Sequence, residues 1–569
     1  MKKIRYYIGL VALSTMAVSC NFLDIEPQVI IKDTYYNTDT EIRYGLAGVY
    51  GTMSNEDFYG NKYSLMLSNV DDLCYFNRPT TQTYTQVYKH DAGSPEIYDA
   101  WKRIYSGINN ANAFMGVVEK SPLDKDHKYF SEARFLRAYY HFILAQAWGN
   151  VPLRKTEVKT HDDVLCAATS QAEVLKWVID EMKECINNAQ DNLKLQPSRL
   201  TRTTMQGILA RVALFAAGES VNIPDKKELY KLAMDNAEAI IISGKHKLNP
   251  DYTEVFKQMI SNKYDSKYHE SMWEVEFYGD RTNANNWSNG RIGELIGLQS
   301  SGNKNYSSFN CNFSYAQYNG SLKLWDLYWK EDRTDDEKEL KKVTDKRQEW
   351  NMCPYNYAGN PKEAPYGSVN PGPKSKCMPS IDKTPYVYDK KSTSKNPLVA
   401  AGIRNCGKYR REVEYEGVMN AKNLYTKINY PILRYSDVLL MFAEAQNEYE
   451  GTPSQKAYDC VKQVRDRAGI KTKPFSTYDH GSFRELVRNE RGRELCFESL
   501  RKYDLIRWGI FVKSMNEYSR WTKDSRWVKD VRADYARNIG AAVRPIHVLL
   551  PIPSIELGVN NKLVQNQLW

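Results

Sequence analysis

Hydrophobic side chains recur at intervals of three and four residues in two stretches of the chain, one before residue 245 and one after residue 430. In the clearest run, 129–149, Phe130, Ala133, Leu136 and Tyr140 fall on one helical face. The same spacing predicts further helices at 101–118, 171–189, 204–217, 229–242, 436–449, 454–468 and 483–499. These helices come in pairs with short links. The pattern therefore predicts a mainly α-helical protein with tetratricopeptide-like packing, in which each pair buries its apolar stripe against the next.

The segment between the two helical series follows a different pattern. Eight of the 22 prolines lie between residues 351 and 400, together with many Gly, Ser and Lys residues. Because proline lacks a backbone N–H and breaks helices, residues 271–430 are predicted to form a loop-rich inserted lobe. The lobe would separate an amino-terminal helical part, 20–270, from a carboxy-terminal helical part, 431–569, that packs on the amino-terminal helices.

The beginning of the chain has the pattern of an export signal. A short basic start precedes an apolar run that ends just before Cys20. This run is shorter than the roughly 20 residues that a transmembrane helix needs, so residues 1–19 are predicted to be a cleaved signal peptide. Residues 17–20 resemble a lipobox, at which the cysteine thiol carries lipid, and Cys20 is therefore the predicted anchor. No later apolar stretch is long enough to span a membrane.

Charge and cysteine usage argue against nucleic-acid binding and against zinc or redox sites. The net charge is +10, but Lys and Arg are interspersed with Asp and Glu, which argues against a basic groove for nucleic acid. Nine of the ten cysteines follow Cys20, and none forms a CxxC pair typical of zinc or redox sites. Cys460 and Cys496 lie in helical apolar patterns and are predicted to be core residues. No disulfide framework, metal site or cofactor is predicted.

The densest charged segment, 488–507, contains Glu490, Glu494 and Glu498, which are four residues apart and would share a helical face. A glycosidase would need one of two such carboxyls to act as a proton donor with a raised pKa. The arginines close by in sequence favour ionised carboxylates instead. These residues are therefore predicted to form an ion-pair network between helices. No serine-hydrolase, zinc-protease or phosphate-loop motif occurs in a convincing context, so no catalytic residue is predicted.

Aromatic residues and asparagines are concentrated in the predicted lobe. Between 264 and 329 there are 14 aromatic residues in 66, or 21%, against 12% for the whole chain. Aromatic faces stack on sugar rings, and amides read hydroxyl groups, so loops of this composition suit a sugar platform. Many of these aromatic residues could equally pack the interior of the lobe. The candidate ligand-binding residues here are Trp287, Asn286, Tyr306, Tyr315 and Tyr318.

Several segments, in the same order, resemble proteins of the SusD/RagB family. They are NFLDIEP at 21–27, WKRIYSGINNAN at 101–112, EARFLRAYY at 132–140, WGNVPL at 148–153, PILRYSDVLLM at 431–441, VRDRAG at 464–469, NERGRELCFE at 489–498, YDLIRWG at 503–509 and LPIP at 550–553. The resemblance is poor between about 280 and 400.

The resemblance implies a function that composition alone does not. Such proteins are surface lipoproteins of the outer membrane that bind oligosaccharides without cleaving them. They hand the ligand to a SusC-like TonB-dependent transporter. Family members often use an amino-terminal loop at the ligand site, which makes residues 71–90 a second candidate region, with Tyr75, Arg78 and Tyr84. Two alternatives remain open: uptake of peptides or another non-glycan nutrient, as in RagB-type relatives, and a surface adhesin or scaffold.

Overall fold

The structure is a computed structural model of the chain. It describes residues 36–79, 84–160, 162–191, 196–277, 290–299, 313–329, 345–353, 356–357, 368–369, 404–411, 414, 425–521 and 531–569. Within these ranges the protein is mainly helical, as the hydrophobic periodicity predicted. The helices are α1 (Asp39–Tyr50), α2 (Pro95–Val118), α3 (Lys128–Trp148), α4 (Gln171–Asn187), α5 (Arg202–Ala216), α6 (Lys226–Ser243), α7 (Tyr252–Ile260), α8 (Leu322–Trp329), α9 (Gln348–Asn351), α10 (Tyr435–Glu450), α11 (Gln455–Ala468), α12 (His480–Leu495), α13 (Arg501–Arg507), α14 (Phe511–Trp521), α15 (Val531–Ala542) and α16 (Ser554–Val559).

Local sequence explains where many of these helices begin and end. Ser170 caps α4 and exchanges hydrogen bonds with Glu173 in a capping box. Between α10 and α11, Gly451 takes a φ of 73°, which glycine adopts without strain, and the Ser454 side chain then accepts a hydrogen bond from the first turn of α11. The predicted helix pair joined at 451–454 is thus confirmed.

The predicted end of the helix at 483–499 was wrong. The pattern predicted a helix to residue 499, but α12 ends at Leu495. Phe497 and Ser499 have φ values of 65° and 57°, and an α-helix cannot continue through the left-handed region. Glu498 therefore follows the helix and does not lie on one helical face with Glu490 and Glu494.

The helices after residue 430 pack against those before residue 245. Helix α10 lies against α6 and α5, and α13 also contacts α5. Across this interface Arg211 Nη2 lies 2.6 Å from Asp437 Oδ2, and Lys456 Nζ lies 2.7 Å from Glu238 Oε1. Large aromatic side chains, among them Trp101, Trp148 and Tyr140, are fully buried in the core. The described helices before 245 and after 430 therefore share one scaffold, and the boundaries at 270 and 430 stay predictions.

Short strands connect parts of the chain that are distant in sequence. They are β1 (Cys74–Phe76), β2 (Val151–Pro152), β3 (Ala168–Thr169), β4 (Ser271–Val275), β5 (Tyr318–Gly320), β6 (Asn356–Tyr357), β7 (Ser368–Val369) and β8 (Tyr430–Arg434). They form two-stranded pairs, β1 with β5, β2 with β3, β4 with β8, and β6 with β7. The antiparallel β4–β8 pair links the end of the first helical series to the start of the second. In the part of the chain that the structure describes, no helix combines the length and the apolar composition that crossing a bilayer requires.

Candidate ligand-binding surface

The strand pair β1–β5 joins the two regions that the sequence predicted as separate ligand-binding candidates. In its antiparallel register, Phe76 lies opposite Tyr318 and Tyr75 opposite Asn319. Just past the strand, the Asn77 N–H donates to the Gln317 carbonyl oxygen at 2.8 Å. Residues 74–77 of the 71–90 loop and residues 317–320 of the other candidate region thus lie side by side.

Arg78 and Tyr315 meet at the outer end of this strand pair. Arg78 Nη2 donates to the Tyr315 carbonyl oxygen at 2.9 Å, and Nη1 donates to the Asn77 carbonyl oxygen at 3.1 Å. Tyr315 is 43% exposed, and its ring meets the Phe313 ring edge-on with centroids 4.5 Å apart. Partial burial lowers the pKa of Arg78, but an arginine remains charged at neutral pH. An exposed tyrosine residue and a fixed guanidinium therefore lie together.

Side-chain amides hold this surface in place. Asn77 Nδ2 donates to Asn319 Oδ1 at 2.6 Å and to the Ala316 carbonyl oxygen at 2.9 Å. Asn405 Nδ2 donates to the same Asn319 oxygen at 2.7 Å. Ala316 takes a φ of 45°, a left-handed conformation that a non-glycine residue keeps only where its surroundings impose it. The turn that presents Tyr315 is therefore rigidly supported.

Two predicted contact residues belong to the core instead. Tyr75 and Tyr318 are both fully buried. The Tyr75 hydroxyl accepts a hydrogen bond from Asn319 Nδ2 at 3.2 Å, and the Tyr318 ring packs against Phe76 at 5.7 Å. Helix α15 also packs against β1. The prediction that these two tyrosines contact a ligand is wrong, because neither can offer a ring face to one.

Tyr84 lies at the border of the surface. Its ring is half-buried and meets the Phe76 ring edge-on at 6.3 Å. Its carbonyl oxygen accepts a hydrogen bond from the Val87 N–H at 3.1 Å, at the start of a 3₁₀ turn at Thr85–Val87. Of the predicted residues that the structure describes, Arg78, Tyr84 and Tyr315 remain candidates for ligand contact. Trp287, Asn286, Tyr306 and the anchor Cys20 lie outside the described residues and stay predictions.

The carboxylates of α12 form the predicted ion-pair network. Glu494 is fully buried and pairs with Arg347 Nη1 at 2.9 Å, Arg434 Nη1 at 2.9 Å and Arg467 Nη2 at 2.5 Å. Glu490, also fully buried, pairs with Arg347 Nη1 at 2.7 Å and Arg493 Nη1 at 2.8 Å. The network joins α12, α11, β8 and the residue immediately before α9, so it ties the helical scaffold to the strand that precedes α10.

These charges rule out the glycosidase reading of the segment. Although burial alone would raise the pKa of Glu490, its arginine neighbours lower that pKa to about 2, and the pKa of Glu494 lies well below its usual value for the same reason. A carboxylate that stays ionised cannot protonate a leaving group at neutral pH. Glu490 and Glu494 are therefore structural residues.

Comparison with known proteins shows which family has this architecture. Residues 269–569 match the model described as the SusD family, and residues 21–214 match one described as starch-binding associating with outer membrane. The chain belongs to the SusD family.

The similarity to individual SusD-family members extends over nearly the whole chain. A SusD-like protein of Formosa agariphila is 24% identical, over 99% of this chain and 98% of its own. A crystallised SusD homolog from Bacteroides thetaiotaomicron superposes with a TM-score of 0.79 at 23% identity, covering 95% of this chain and 98% of its own. A structure described as a laminarin binding SusD-like protein has a TM-score of 0.62 at 18% identity, covering 94% and 100%. The solved structures show that the SusD fold is shared.

Sequence reasoning missed the amides that support the surface of this SusD-family protein. Asn77 lies within the second candidate region, 71–90, but nothing in the sequence links it to Asn319, 242 residues away, or to Asn405. Each is an unremarkable asparagine in its own segment. The β1–β5 pairing and a separate backbone bridge between Asn319 and Asn405 bring them together, and single-sequence patterns carry no signal for pairings at such separations.

Proposed function

We propose that this protein is a cell-surface lipoprotein of the outer membrane, anchored through Cys20, that binds an oligosaccharide and delivers it uncleaved to a SusC-like TonB-dependent transporter. The observation that carries the proposal is the hydrogen bond from Arg78 to the Tyr315 carbonyl oxygen, which fixes a cation next to a tyrosine residue that is 43% exposed. Membership of the SusD family supports the anchor, the location and the transporter.

The surface has the two kinds of group that sugar recognition needs. A pyranose presents an apolar C–H face and a rim of hydroxyl groups. The Tyr315 ring can stack on the first, and guanidinium N–H groups, which only donate, can bind hydroxyl oxygens. Stacking contributes about 1 kcal/mol per ring beyond area burial, by analogy with aromatic pairs. We therefore expect affinities in the range of about micromolar to millimolar.

The chemistry of the α12 carboxylates and of the Arg78–Tyr315 surface supports binding without cleavage. Glu490 and Glu494 are buried and held ionised by arginines. A retaining or inverting glycosidase would require one raised-pKa acid beside a second carboxylate at the ligand. Arg78, Tyr84 and Tyr315 are not groups of that kind.

The descriptions attached to the relatives suggest which glycans to test first. One matching family model is described as starch-binding, and one structural neighbour is described as laminarin binding. Amylopectin and laminarin, an α-glucan and a β-glucan, are therefore the first probes.

Replacing Tyr315 with alanine should weaken glycan binding about fivefold, the equivalent of about 1 kcal/mol, because the stacking ring is lost. Arg78→Lys should weaken binding as well, since lysine keeps the charge but cannot reproduce the planar fork that reaches the Tyr315 carbonyl oxygen. Isothermal titration with the heptasaccharides of both glucans would measure this. Ile242→Ala is the matched control, because Ile242 is 71% exposed and lies on α6. Unchanged affinity in both the Tyr315 and the Arg78 variants would contradict the assignment of this surface.

A further inference from the structure

A second cleft, of about 540 Å³, lies between helix α1 and the end of strand β4. It shares no lining residue with the Arg78–Tyr315 surface. Its volume is within the range of about 300–1,000 Å³ typical of ligand pockets. The site is therefore large enough for a small ligand or for part of a polymer.

Helix α1 separates a core face from a cleft face. Its buried residues are Ile42, Leu46 and Val49. The cleft lining from α1 and its C-cap includes Thr40, Arg43, Tyr44, Ala47 and Gly51, which repeat at intervals of three and four residues. Tyr44 is 64% exposed, and the small side chains that follow leave room beside its ring. The Tyr44 side chain thus lies exposed at the rim of the cleft, and packing in the core does not explain its presence there.

The opposite wall of the cleft carries the Arg199 guanidinium, which is held by the buried Glu132 carboxylate. Arg199 Nε donates to Glu132 Oε2 at 3.1 Å, and Arg199 Nη2 donates to Glu132 Oε1. Glu132 is 2% exposed and also accepts a hydrogen bond from the Tyr50 hydroxyl at 2.7 Å. These bonds use the Nε hydrogen and one Nη2 hydrogen and orient the guanidinium, so the two Nη1 hydrogens and the second Nη2 hydrogen are the donors that Glu132 does not occupy.

Carboxyl groups complete the cleft. Glu274 is 2% exposed, and its side chain accepts a hydrogen bond from Asn429 Nδ2 at 2.9 Å. Its backbone N–H donates to the Pro197 carbonyl oxygen at 2.8 Å. Since Pro197 lies two residues before Arg199, this bond joins β4 to the segment that carries Arg199. Glu276 lines the same cleft and accepts a hydrogen bond from the Tyr264 hydroxyl.

The environment of Glu274 suits hydroxyl recognition. Among the described residues no lysine or arginine forms an ion pair with Glu274, and burial raises its pKa to about 7. Near neutral pH this carboxyl can therefore donate as well as accept hydrogen bonds. A sugar hydroxyl also does both. Since two arginines and two carboxyl groups line the same cleft, a ligand of strong net charge of either sign is disfavoured.

We infer that this cleft is a second oligosaccharide-binding site, in which Tyr44 stacks on one ring of a neutral glycan while Arg199 and Glu274 bind its hydroxyl groups. The inference rests on the proposed function and extends it. Two sites on one protein make the second binding event intramolecular, which increases the apparent affinity for a polymer relative to a short oligosaccharide. This protein would then hold a long chain at two points.

The test uses Tyr44→Ala, which removes only an exposed side chain and should leave the fold intact. The probes are laminarin and amylopectin in affinity electrophoresis, and their heptasaccharides in titration. Tyr44→Ala should reduce polymer retention about fivefold, and Ile242→Ala, which removes an equally exposed apolar side chain, should not. In a Tyr315→Ala/Arg78→Lys background, residual binding should remain and should be lost when Tyr44→Ala is added. Hydrogen exchange with saturating heptasaccharide should show protection of residues 40–54.

The outcomes separate the two sites. If Tyr44→Ala binds like the wild type and residues 40–54 gain no protection, while Tyr315→Ala weakens binding, the cleft is not a glycan site and the proposed function stands. If Tyr44→Ala alone abolishes binding, the cleft is a glycan site and the Arg78–Tyr315 surface is not. Protection of residues 40–54 by a lysine-containing peptide and by no glycan would overturn the inference. Wild-type protein that retains neither polymer nor any other glycan would overturn the inference together with the proposed function.

Discussion

Replacing Glu494 with alanine should destabilise the protein by about 3–5 kcal/mol, or prevent it from folding, because removing one partner of a buried ion pair leaves its charges uncompensated. Glu494 pairs with Arg347, Arg434 and Arg467, all within 2.9 Å. All three arginines are buried, and the carboxylate itself is fully buried. Because water cannot reach the buried arginines to replace the lost charge, the variant should have a lower free energy of unfolding.

Helix α12 supplies a matched control for this variant. Glu485 lies on the same helix, its side chain is 64% exposed, and its carboxylate is 3.6 Å from Arg488 Nη1. A surface pair of this kind contributes about 0–1 kcal/mol. Urea unfolding followed by circular dichroism should therefore give Glu485→Ala a midpoint close to that of the wild type. Equal midpoints for Glu494→Ala and Glu485→Ala would show that the network does not hold the scaffold together.

Replacing Cys20 with alanine should move nearly all of the protein from the membrane fraction to the soluble fraction. A lipid chain contributes about 0.8 kcal/mol for each buried methylene, so the loss of the lipidated thiol removes the main attachment. Fractionation of cells labelled with a clickable palmitate analogue would measure both attachment and lipid. Cys166→Ala is the control, since Cys166 is a free, partly exposed cysteine in the described chain. A Cys20→Ala variant that stays in the membrane fraction, with no lipid label on the wild type, would contradict the proposed anchor.

The helices could be predicted from the sequence because their signals are local. The three-and-four spacing in α3 and the glycine and serine between α10 and α11 lie within a few turns of the elements they define. The end of α12 could not be predicted, because the residues at 497 and 499 that leave the helix are not glycines. The apolar pattern continues past the point where the backbone turns.

The candidate surface could be predicted only in part. Aromatic composition identified Tyr315 and Tyr318 alike, yet one is 43% exposed and the other fully buried. Composition does not state which face of a strand meets the core, and the register of β5 depends on β1, more than 240 residues away. The Arg78–Tyr315 contact arises from the same pairing. The sequence therefore indicated the right two segments without showing that they meet or which side chains they expose.

The central claim is that this protein binds a glycan and leaves it intact. A soluble form lacking residues 1–20 should be applied to a glycan array that includes laminarin and amylopectin oligosaccharides, and each glycan it binds should then be incubated with the protein and assayed for new reducing ends. We expect binding to at least one glycan, with affinity of about micromolar to millimolar, and no increase in reducing ends over the protein-free sample. Binding to no glycan, or a steady release of reducing ends from a bound one, would contradict the account.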